Sequence, residues 1–83
     1  MDRVLIKLYV PILEKTYDVW LPTYKKIYNI IPMIVKAINE LNGNCYRPKS
    51  MPLLYDRITA EEYDINLSVK ESSIRSGTEI ILI

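Results

Sequence analysis

Glu79-Ile80-Ile81-Leu82-Ile83 is the stretch that decides the fold. A run of apolar residues, most of them β-branched, is typical of a β-strand that is covered on both faces. We therefore expect this strand to lie inside a sheet. The residues just before it supply a turn, because Gly77 can adopt the positive φ that most residues resist.

Two more strands are expected near the beginning of the 83-residue sequence. Residues 4–10 alternate around Lys7, and residues 16–21 are rich in β-branched and aromatic side chains. The short link of residues 11–15 makes the two strands a hairpin. Pro22 ends the second strand, because proline has no N–H to donate to a neighbouring strand.

One long amphipathic helix follows the hairpin. Its apolar residues recur at spacings of three and four, which places them on one helical face. They are Ile27, Ile30, Ile31, Ile34, Val35, Ile38 and Leu41. Either Thr23 or Tyr24 opens the helix, and Asn42-Gly43 ends it as a left-handed cap. Pro32 lacks the N–H for its helical hydrogen bond, so we expect a loose first turn or a kink at that residue.

Shorter elements occupy the rest of the chain. Residues 53–55 are predicted to form a third strand, residues 56–63 a hairpin or excursion, and residues 67–72 a short helical or 3₁₀ turn. One helix cannot bury its apolar stripe alone, so it must lie across the sheet. The predicted inward residues are Val4, Ile6, Leu8, Tyr17, Val19, Leu21, Ile80 and Leu82, packed on Ile31, Ile34, Val35 and Ile38.

This order of elements predicts an α+β fold. The first and last strands lie side by side at the centre of the sheet. The expected architecture is a β-grasp roll, in which a mixed sheet of four to five strands packs on one long helix. A chain of this length forms a single domain, residues 1–83.

Composition argues against several classes of function. Eleven basic and ten acidic residues give a net charge of +1, whereas a nucleic-acid-binding domain usually has a strong basic excess. There is no histidine and only one cysteine, Cys45, which argues against a tetrahedral zinc site and favours a reducing compartment such as the cytoplasm. We expect neither a signal peptide nor direct membrane insertion, which needs roughly 18–20 consecutive apolar residues.

Catalysis finds no support in the residues. Histidine, the commonest general base, is absent from the sequence. Neither a Gly-rich phosphate loop nor a nucleophile elbow occurs. The acidic residues Glu61, Glu62 and Asp64 are expected to be solvated, and Cys45 to be an inert surface thiol. We therefore predict that the protein is not an enzyme and has no catalytic residue, cofactor or metal ion.

Two patterns resemble known families. The closing segment, with Gly77 between Ile74 and Ile80, resembles that of ubiquitin-like folds. A narrower pattern is similar to the small YukD/EsaB ubiquitin-like proteins of type VII (WXG100) secretion systems and to the ubiquitin-like N-terminal domain of the membrane component EccD. Its residues are Leu21-Pro22, Ile27, Ile30, Ile31-Pro32 and Val35.

The resemblance implies a bacterial accessory or regulatory protein that does no catalysis. Such a protein is cytoplasmic or peripheral to a membrane complex, and it docks on protein components of the secretion apparatus. The first alternative is a self-associating structural ubiquitin-like module. The second is a protein modifier or sulfur carrier, which shares this fold. A modifier or carrier needs a terminal Gly-Gly, which the sequence ending at Ile83 lacks unless a protease trims a longer precursor to expose one.

Alternation along the strands predicts the docking surface. If the inward residues face the helix, their neighbours in the strands face away from it. The same alternation on the neighbouring strands adds Trp20 and Leu54 to this surface. The predicted partner-binding residues are Leu5, Tyr9, Trp20, Leu54, Ile81 and Ile83. A contiguous exposed apolar patch of this kind usually marks a partner surface. The alternatives are cover by the loop of residues 44–51 or by a homodimer mate.

Overall fold

The computed structural model describes residues 2–83. Over this range, the strands are β1 (Arg3–Val10), β2 (Lys15–Pro22), β3 (Leu54–Asp56) and β4 (Glu79–Leu82), and the α-helix is α1 (Ile27–Leu41). A 3₁₀ turn, Pro11–Leu13, joins β1 to β2. The predicted order of the strands and the long helix is therefore confirmed. Residues 67–72 form turns in the structure, so the helical or 3₁₀ segment predicted there was wrong.

Strand β4 lies in the middle of a mixed sheet whose strand order is β2-β1-β4-β3. It runs parallel to β1, with Tyr9 beside Ile81, and antiparallel to β3, with Tyr55 beside Ile81. The hairpin pair β1 and β2 is antiparallel. The mixed sheet predicted from the sequence is thus confirmed, with four strands in the described range.

Backbone hydrogen bonds hold β4 from both sides. Toward β1, the Lys7 N–H donates to the Thr78 carbonyl at 3.0 Å. Toward β3, Leu53 and Ile83 exchange a pair of bonds of 2.8 and 3.0 Å, which extends the ladder to the last residue. The turn before β4 contains Gly77 at φ +90°, and its N–H donates to the Leu5 carbonyl at 2.8 Å. The predicted positive φ at Gly77 is confirmed.

The hydrophobic core lies between the sheet and α1. From the sheet it contains Ile6, Leu8, Val10, Leu21, Leu54, Ile80 and Leu82, and from α1 it contains Ile27, Ile30, Ile31, Ile34 and Ile38. The remaining predicted inward residues, Val4, Tyr17, Val19 and Val35, are partly buried against this cluster. Complete burial of one such aliphatic side chain contributes about 1.5–3 kcal/mol, so this layer dominates the stability.

Only one face of β4 is covered by the core. Ile80 and Leu82 are buried, whereas Ile81 is half-buried and Ile83 is 65% exposed. The prediction that both faces are covered was therefore wrong. The helix supplies one covering layer, and the alternate side chains point to the other side of the sheet.

The helix begins later than the sequence predicts. It starts at Ile27 rather than at Thr23 or Tyr24, and its N-cap residue, Lys26, makes no side-chain capping bond. Carbonyls from a distant segment bind the first helical N–H groups: Leu67 accepts from Ile27 at 2.9 Å, and Ile65 accepts from Tyr28 at 3.1 Å. The helix start is thus set by tertiary contacts that satisfy its free donors.

The other end of α1 follows the prediction. Gly43 has φ +61°, the left-handed conformation expected after the last turn, and the Asn42 N–H bonds the Ile38 carbonyl at 3.0 Å. Pro32 is exposed and lies inside the continuous helix. Within residues 2–83, no helix has the length and apolar character that crossing a bilayer requires.

We predict that Ile80→Ala and Ile81→Ala differ sharply in their effect on stability. Ile80 is fully buried, so its truncation should lower the free energy of unfolding by about 2–5 kcal/mol. Ile81 lies on the uncovered face, so its truncation should cost about 1 kcal/mol or less. Urea unfolding of both variants measures the difference, and equal losses would contradict the assignment of faces.

We also predict that Pro32→Ala stabilises the protein. The substitution restores an N–H that can bond the Tyr28 carbonyl inside α1, and it should raise the free energy of unfolding by about 1–2 kcal/mol after the entropy of the unfolded chain is included. Thermal or urea unfolding checks the sign. Lys36→Ala, at an exposed position of the same helix, is the matched control and should change little. A destabilised Pro32→Ala variant would disprove this.

Candidate functional site

The candidate site is the sheet surface that faces away from α1, here called the outer face. Side chains alternate along a strand, so the strand register places every second residue on this surface. From β1 and β2 these are Arg3, Leu5, Lys7, Tyr9, Thr16, Asp18, Trp20 and Pro22. From β3 and β4 they are Tyr55, Glu79 and Ile81, and the next ladder pair adds Leu53 and Ile83.

Five of the six predicted docking residues lie on the outer face. Leu5, Tyr9 and Ile81 are half-buried there. Trp20 and Ile83 are more accessible, with 49% and 65% of their surface exposed. The sequence therefore predicted the apolar members of the face correctly on β1, β2 and β4.

Leu54 was assigned to the wrong side of the sheet. It is only 1% exposed and belongs to the core, because β3 pairs antiparallel with β4 and places Leu54 beside the inward residue Leu82. Its neighbours Leu53 and Tyr55 are the outer-face residues of this strand. A strand of three residues shows no alternation long enough to indicate which side faces the helix.

A line of charges crosses the outer face, which we call the charge row: Asp18, Lys7, Glu79 and Arg57. The register sets Lys7 between Asp18 on β2 and Glu79 on β4. Arg57 follows β3, and its N–H bonds the Glu79 carbonyl at 3.0 Å. Lys7 Nζ lies 3.3 Å from Asp18 Oδ1, and an Arg57 guanidinium nitrogen lies 3.9 Å from Glu79 Oε1. The signs alternate from β2 to the end of β3.

The charge row divides the apolar surface into two parts. Leu5 and Trp20 lie on one side of Lys7, and Tyr9 and Ile81 lie on the other. The prediction of one contiguous apolar patch was therefore wrong. That prediction considered the apolar residues of each strand separately. The charge row forms only when charged residues of separate strands become neighbours in the sheet.

Each part contains an aromatic ring beneath an arginine. The Arg57 guanidinium carbon lies 4.6 Å from the centroid of the Tyr9 ring, and that of Arg3 lies 5.2 Å from the centroid of the Trp20 ring. Such cation–π contacts contribute about 0.5–1 kcal/mol at exposed sites. The two arginines restrict the rings and give the outer face a mixed apolar and charged character.

The loop of residues 44–51 does not lie on the outer face. Tyr46 is buried in the core, and its N–H bonds Asn39 Oδ1 of α1 at 2.9 Å. Beside α1 the loop borders a cavity of about 480 Å³, lined from the helix by Ile31, Pro32, Val35 and Lys36. A second cavity of about 330 Å³ opens between the loop, Ile12 and Ile83. The alternative of loop cover was therefore wrong, because the loop packs on the helix side.

Glu61, Glu62 and Asp64 lie beside a turn after β3 that Asp56 holds together. Asp56 Oδ1 accepts the N–H groups of Ile58 and Thr59 at 2.8 and 3.0 Å, and these bonds lower the pKa of its carboxyl group. Asp56 Oδ2 accepts the Tyr63 hydroxyl at 3.1 Å. Burial first, and then this bond to a carboxylate, raise the pKa of Tyr63 to about 12. The turn is thus held together by its own hydrogen bonds.

The other candidates from the sequence remain separate from the outer face. Glu61, Glu62 and Asp64 are exposed beside this turn, and Cys45 is an exposed free thiol in the loop after α1. In the part of the chain that is described, no three His, Cys, Asp or Glu side chains are placed to hold a metal ion. The outer face therefore remains the candidate site.

Solved structures with the same fold are found among secretion proteins. The EccD5 ubiquitin-like domain from Mycobacterium xenopi matches 100% of the chain, which covers 94% of that domain, with a TM-score of 0.81 and 18% sequence identity. The ubiquitin-like domain of the type VII secretion protein EccD1 from Mycobacterium tuberculosis also matches 100% of the chain and is covered to 99%, with a TM-score of 0.78 and 12% identity.

A third match is a chain of the MycP5-free ESX-5 inner membrane complex, with a TM-score of 0.81 and 11% identity; the present chain spans 21% of its length. No family model and no curated protein sequence matches the chain. The structural matches confirm the ubiquitin-like fold and the predicted similarity to EccD domains. At these identities they concern the fold alone, so membership of the YukD/EsaB family stays a prediction.

We predict that Tyr63 keeps its proton to unusually high pH. With a pKa raised from 10.0 to about 12, the native state retains a proton that the unfolded chain releases. The contribution of Tyr63 to the free energy of unfolding is therefore complete below pH 10 and is lost as the pH rises through about 12. Ultraviolet titration of phenolate measures this pKa.

The variant Tyr63→Phe should remove the titration step at the highest pH. Tyr24→Phe, at an exposed position, is the matched control and should leave that step in place. Burial also raises the pKa of Tyr46, so part of the high-pH absorbance change belongs to that residue. An undiminished amplitude near pH 12 in Tyr63→Phe would contradict the assignment.

Proposed function

We propose that this chain is a docking domain of a type VII secretion system, that it does no catalysis, and that its outer face binds a protein component of the apparatus. The observation that carries the proposal is the outer face, where exposed Trp20 and Ile83 accompany Tyr9 and Ile81 on the side of the sheet that α1 leaves uncovered. The choice of a type VII secretion system is supported by the structures with the same fold, which are EccD ubiquitin-like domains and a chain of the ESX-5 inner membrane complex.

The composition of the outer face suits protein recognition. Tryptophan, tyrosine and arginine supply most of the energy at protein interfaces, and each arginine here holds an aromatic ring. Apolar side chains contribute affinity when a partner removes them from water. The charge row would add specificity, since a partner with the wrong charges would bring like charges together.

The overall charge also favours a protein partner. A net charge of +1 gives little general attraction to nucleic acid or to an anionic membrane surface. We propose that the domain works in the cytoplasm, free or attached to the periphery of a membrane complex through protein contacts.

This proposal predicts that Trp20→Ala and Ile83→Asp weaken binding to the apparatus. Both residues are exposed, so the variants should fold, which circular dichroism and thermal unfolding will verify. Recovery of identified type VII components on the tagged chain, measured by quantitative mass spectrometry, should fall about tenfold, which corresponds to about 1.4 kcal/mol. The chain must be expressed in cells that contain the apparatus.

Leu41→Asp is the matched control for this experiment. Leu41 is 71% exposed at the end of α1, on the other side of the molecule from the outer face, so recovery should be unchanged. If the folded outer-face variants recover as much of the apparatus as the wild type, the docking assignment is wrong.

A further inference from the structure

We propose that the domain has a second docking surface, on the helix side, which binds an acidic segment of a partner protein and takes an apolar side chain from that segment. The surface is the cavity of about 480 Å³ between residues 31–36 of α1 and residues 48–52, here called the helix groove. This inference goes beyond the proposed function, because the core and the sheet lie between the helix groove and the outer face. The domain would then hold partners on two opposite sides.

The wall of the helix groove is apolar and rigid. Its apolar residues are Ile31, Pro32 and Val35 from α1, and Pro48, Met51 and Pro52 from the opposite side. Three of these six residues are prolines, whose rings fix φ. The wall is therefore largely rigid before a partner arrives, so binding loses little conformational entropy. The cavity volume lies in the range of sites that enclose a ligand, roughly 300–1,000 Å³.

The segment of residues 48–52 is anchored at both ends. Before it, buried Tyr46 donates its N–H to Asn39 Oδ1 of α1 at 2.9 Å. After it, Pro52 is buried, and Leu53 and Ile83 exchange the two backbone bonds that extend the β3–β4 ladder. The free domain therefore already contains the helix groove, and a partner does not have to form it.

Pro32 occupies a position at which proline costs stability. It has no N–H for the Tyr28 carbonyl, so one hydrogen bond is missing from an otherwise continuous helix. Pro32 is exposed, so the core does not require it, and its ring lines the helix groove instead. Residues that break a local rule without a structural gain are expected at functional sites. The proline therefore points to recognition at this surface independently of the cavity.

The rim of the helix groove is basic. Lys36 and Lys49 line the cavity together with Ser50, and no acidic residue of the described chain lines it. Both lysines are exposed, and neither forms an ion pair among residues 2–83. Two free ammonium groups beside an apolar cavity complement a segment that presents both carboxylates and an apolar side chain.

A protein segment suits these features better than a membrane surface or a nucleic acid. Two lysines do not make a broad basic patch, and a net charge of +1 gives little general attraction to a polyanion. An apolar side chain that enters the cavity loses its contact with water and supplies affinity, while the exposed ion pairs supply orientation. One anchor and two such pairs predict a dissociation constant of about 10–1,000 μM.

Selection from a phage-displayed library of random short peptides tests the chemistry of the partner. The target is the wild-type chain, and Lys36→Glu with Lys49→Glu, here called the groove variant, serves for counter-selection. Peptides that require the helix groove should contain Asp or Glu beside an aromatic or branched apolar residue, because these groups match its rim and its wall. Groove-dependent peptides without acidic residues, or a selection that gives no groove-dependent peptide, would overturn the inference.

Nuclear magnetic resonance then locates the strongest selected peptide. Its titration should shift the amide signals of Ile31, Val35 and Met51 and leave those of Tyr9 and Trp20 on the outer face unchanged. The groove variant should bind this peptide at least about tenfold more weakly. A copy of the peptide with lysine in place of its acidic residues should bind the groove variant more tightly than the wild type, which only a folded groove variant can show. Peptide shifts confined to the outer face would contradict the assignment.

Pro32→Ala separates recognition from folding. This variant should be more stable than the wild type, for the reason given above, yet bind the selected peptide about fivefold more weakly because part of the wall is missing. The matched control for the groove variant is Lys7→Glu with Arg57→Glu, which reverses two charges on the outer face and should bind the peptide like the wild type. Circular dichroism and thermal unfolding establish that all variants are folded. Full peptide binding by Pro32→Ala would count against the inference.

Other occupants of the helix groove give distinct results. If dilution of the wild type without peptide shifts the groove signals, a second copy of the chain fills the groove. If the wild type sediments with vesicles of phosphatidylserine and phosphatidylcholine and the groove variant does not, the groove binds a membrane. Either result overturns the inference. The proposed function is tested separately, since Trp20→Ala and Ile83→Asp should lose the apparatus and still bind the selected peptide.

Discussion

The position of β4 between β1 and β3 is the constraint on which the rest of the structure depends. Hydrogen bonds on both sides fix its register, from the Lys7 N–H to the Thr78 carbonyl and between Ile83 and Leu53. This register directs Ile80 and Leu82 toward α1, where they complete the core. A slip of one residue would exchange the two faces and expose that apolar surface, so the energy of core burial holds the register in place.

The outer face is a consequence of this register. Lys7 meets Glu79 only because β1 and β4 run parallel with these residues side by side, and Asp18 and Arg57 join from the flanking strands. Exposed ion pairs of this kind contribute little to stability. Their arrangement is nevertheless directional, because the alternating signs distinguish one orientation of an incoming surface from another. The core thus provides the stability, and the outer face carries the exposed charges and aromatic rings.

Local patterns were sufficient to predict most of the fold. The period-two alternation of β1 and β2, the apolar run of β4 and the three-and-four spacing of α1 indicated both the element order and the inward residues. The failures occurred where the local signal is short or absent. Leu54 belongs to a strand too brief to show its alternation, and the start of α1 depends on the carbonyls of Leu67 and Ile65, which lie far away in the sequence.

The sequence by itself determined which residues β1, β2, β4 and the helix would bury, and hence which apolar side chains of these three strands would lie on the outer face. These properties depend on the period with which side chains alternate within a single strand or helix. Only the tertiary structure decided which charges become neighbours across the sheet and which rings lie beneath Arg3 and Arg57. The physical reason is that lateral contacts follow from strand order and register, which are set by the packing of the whole chain.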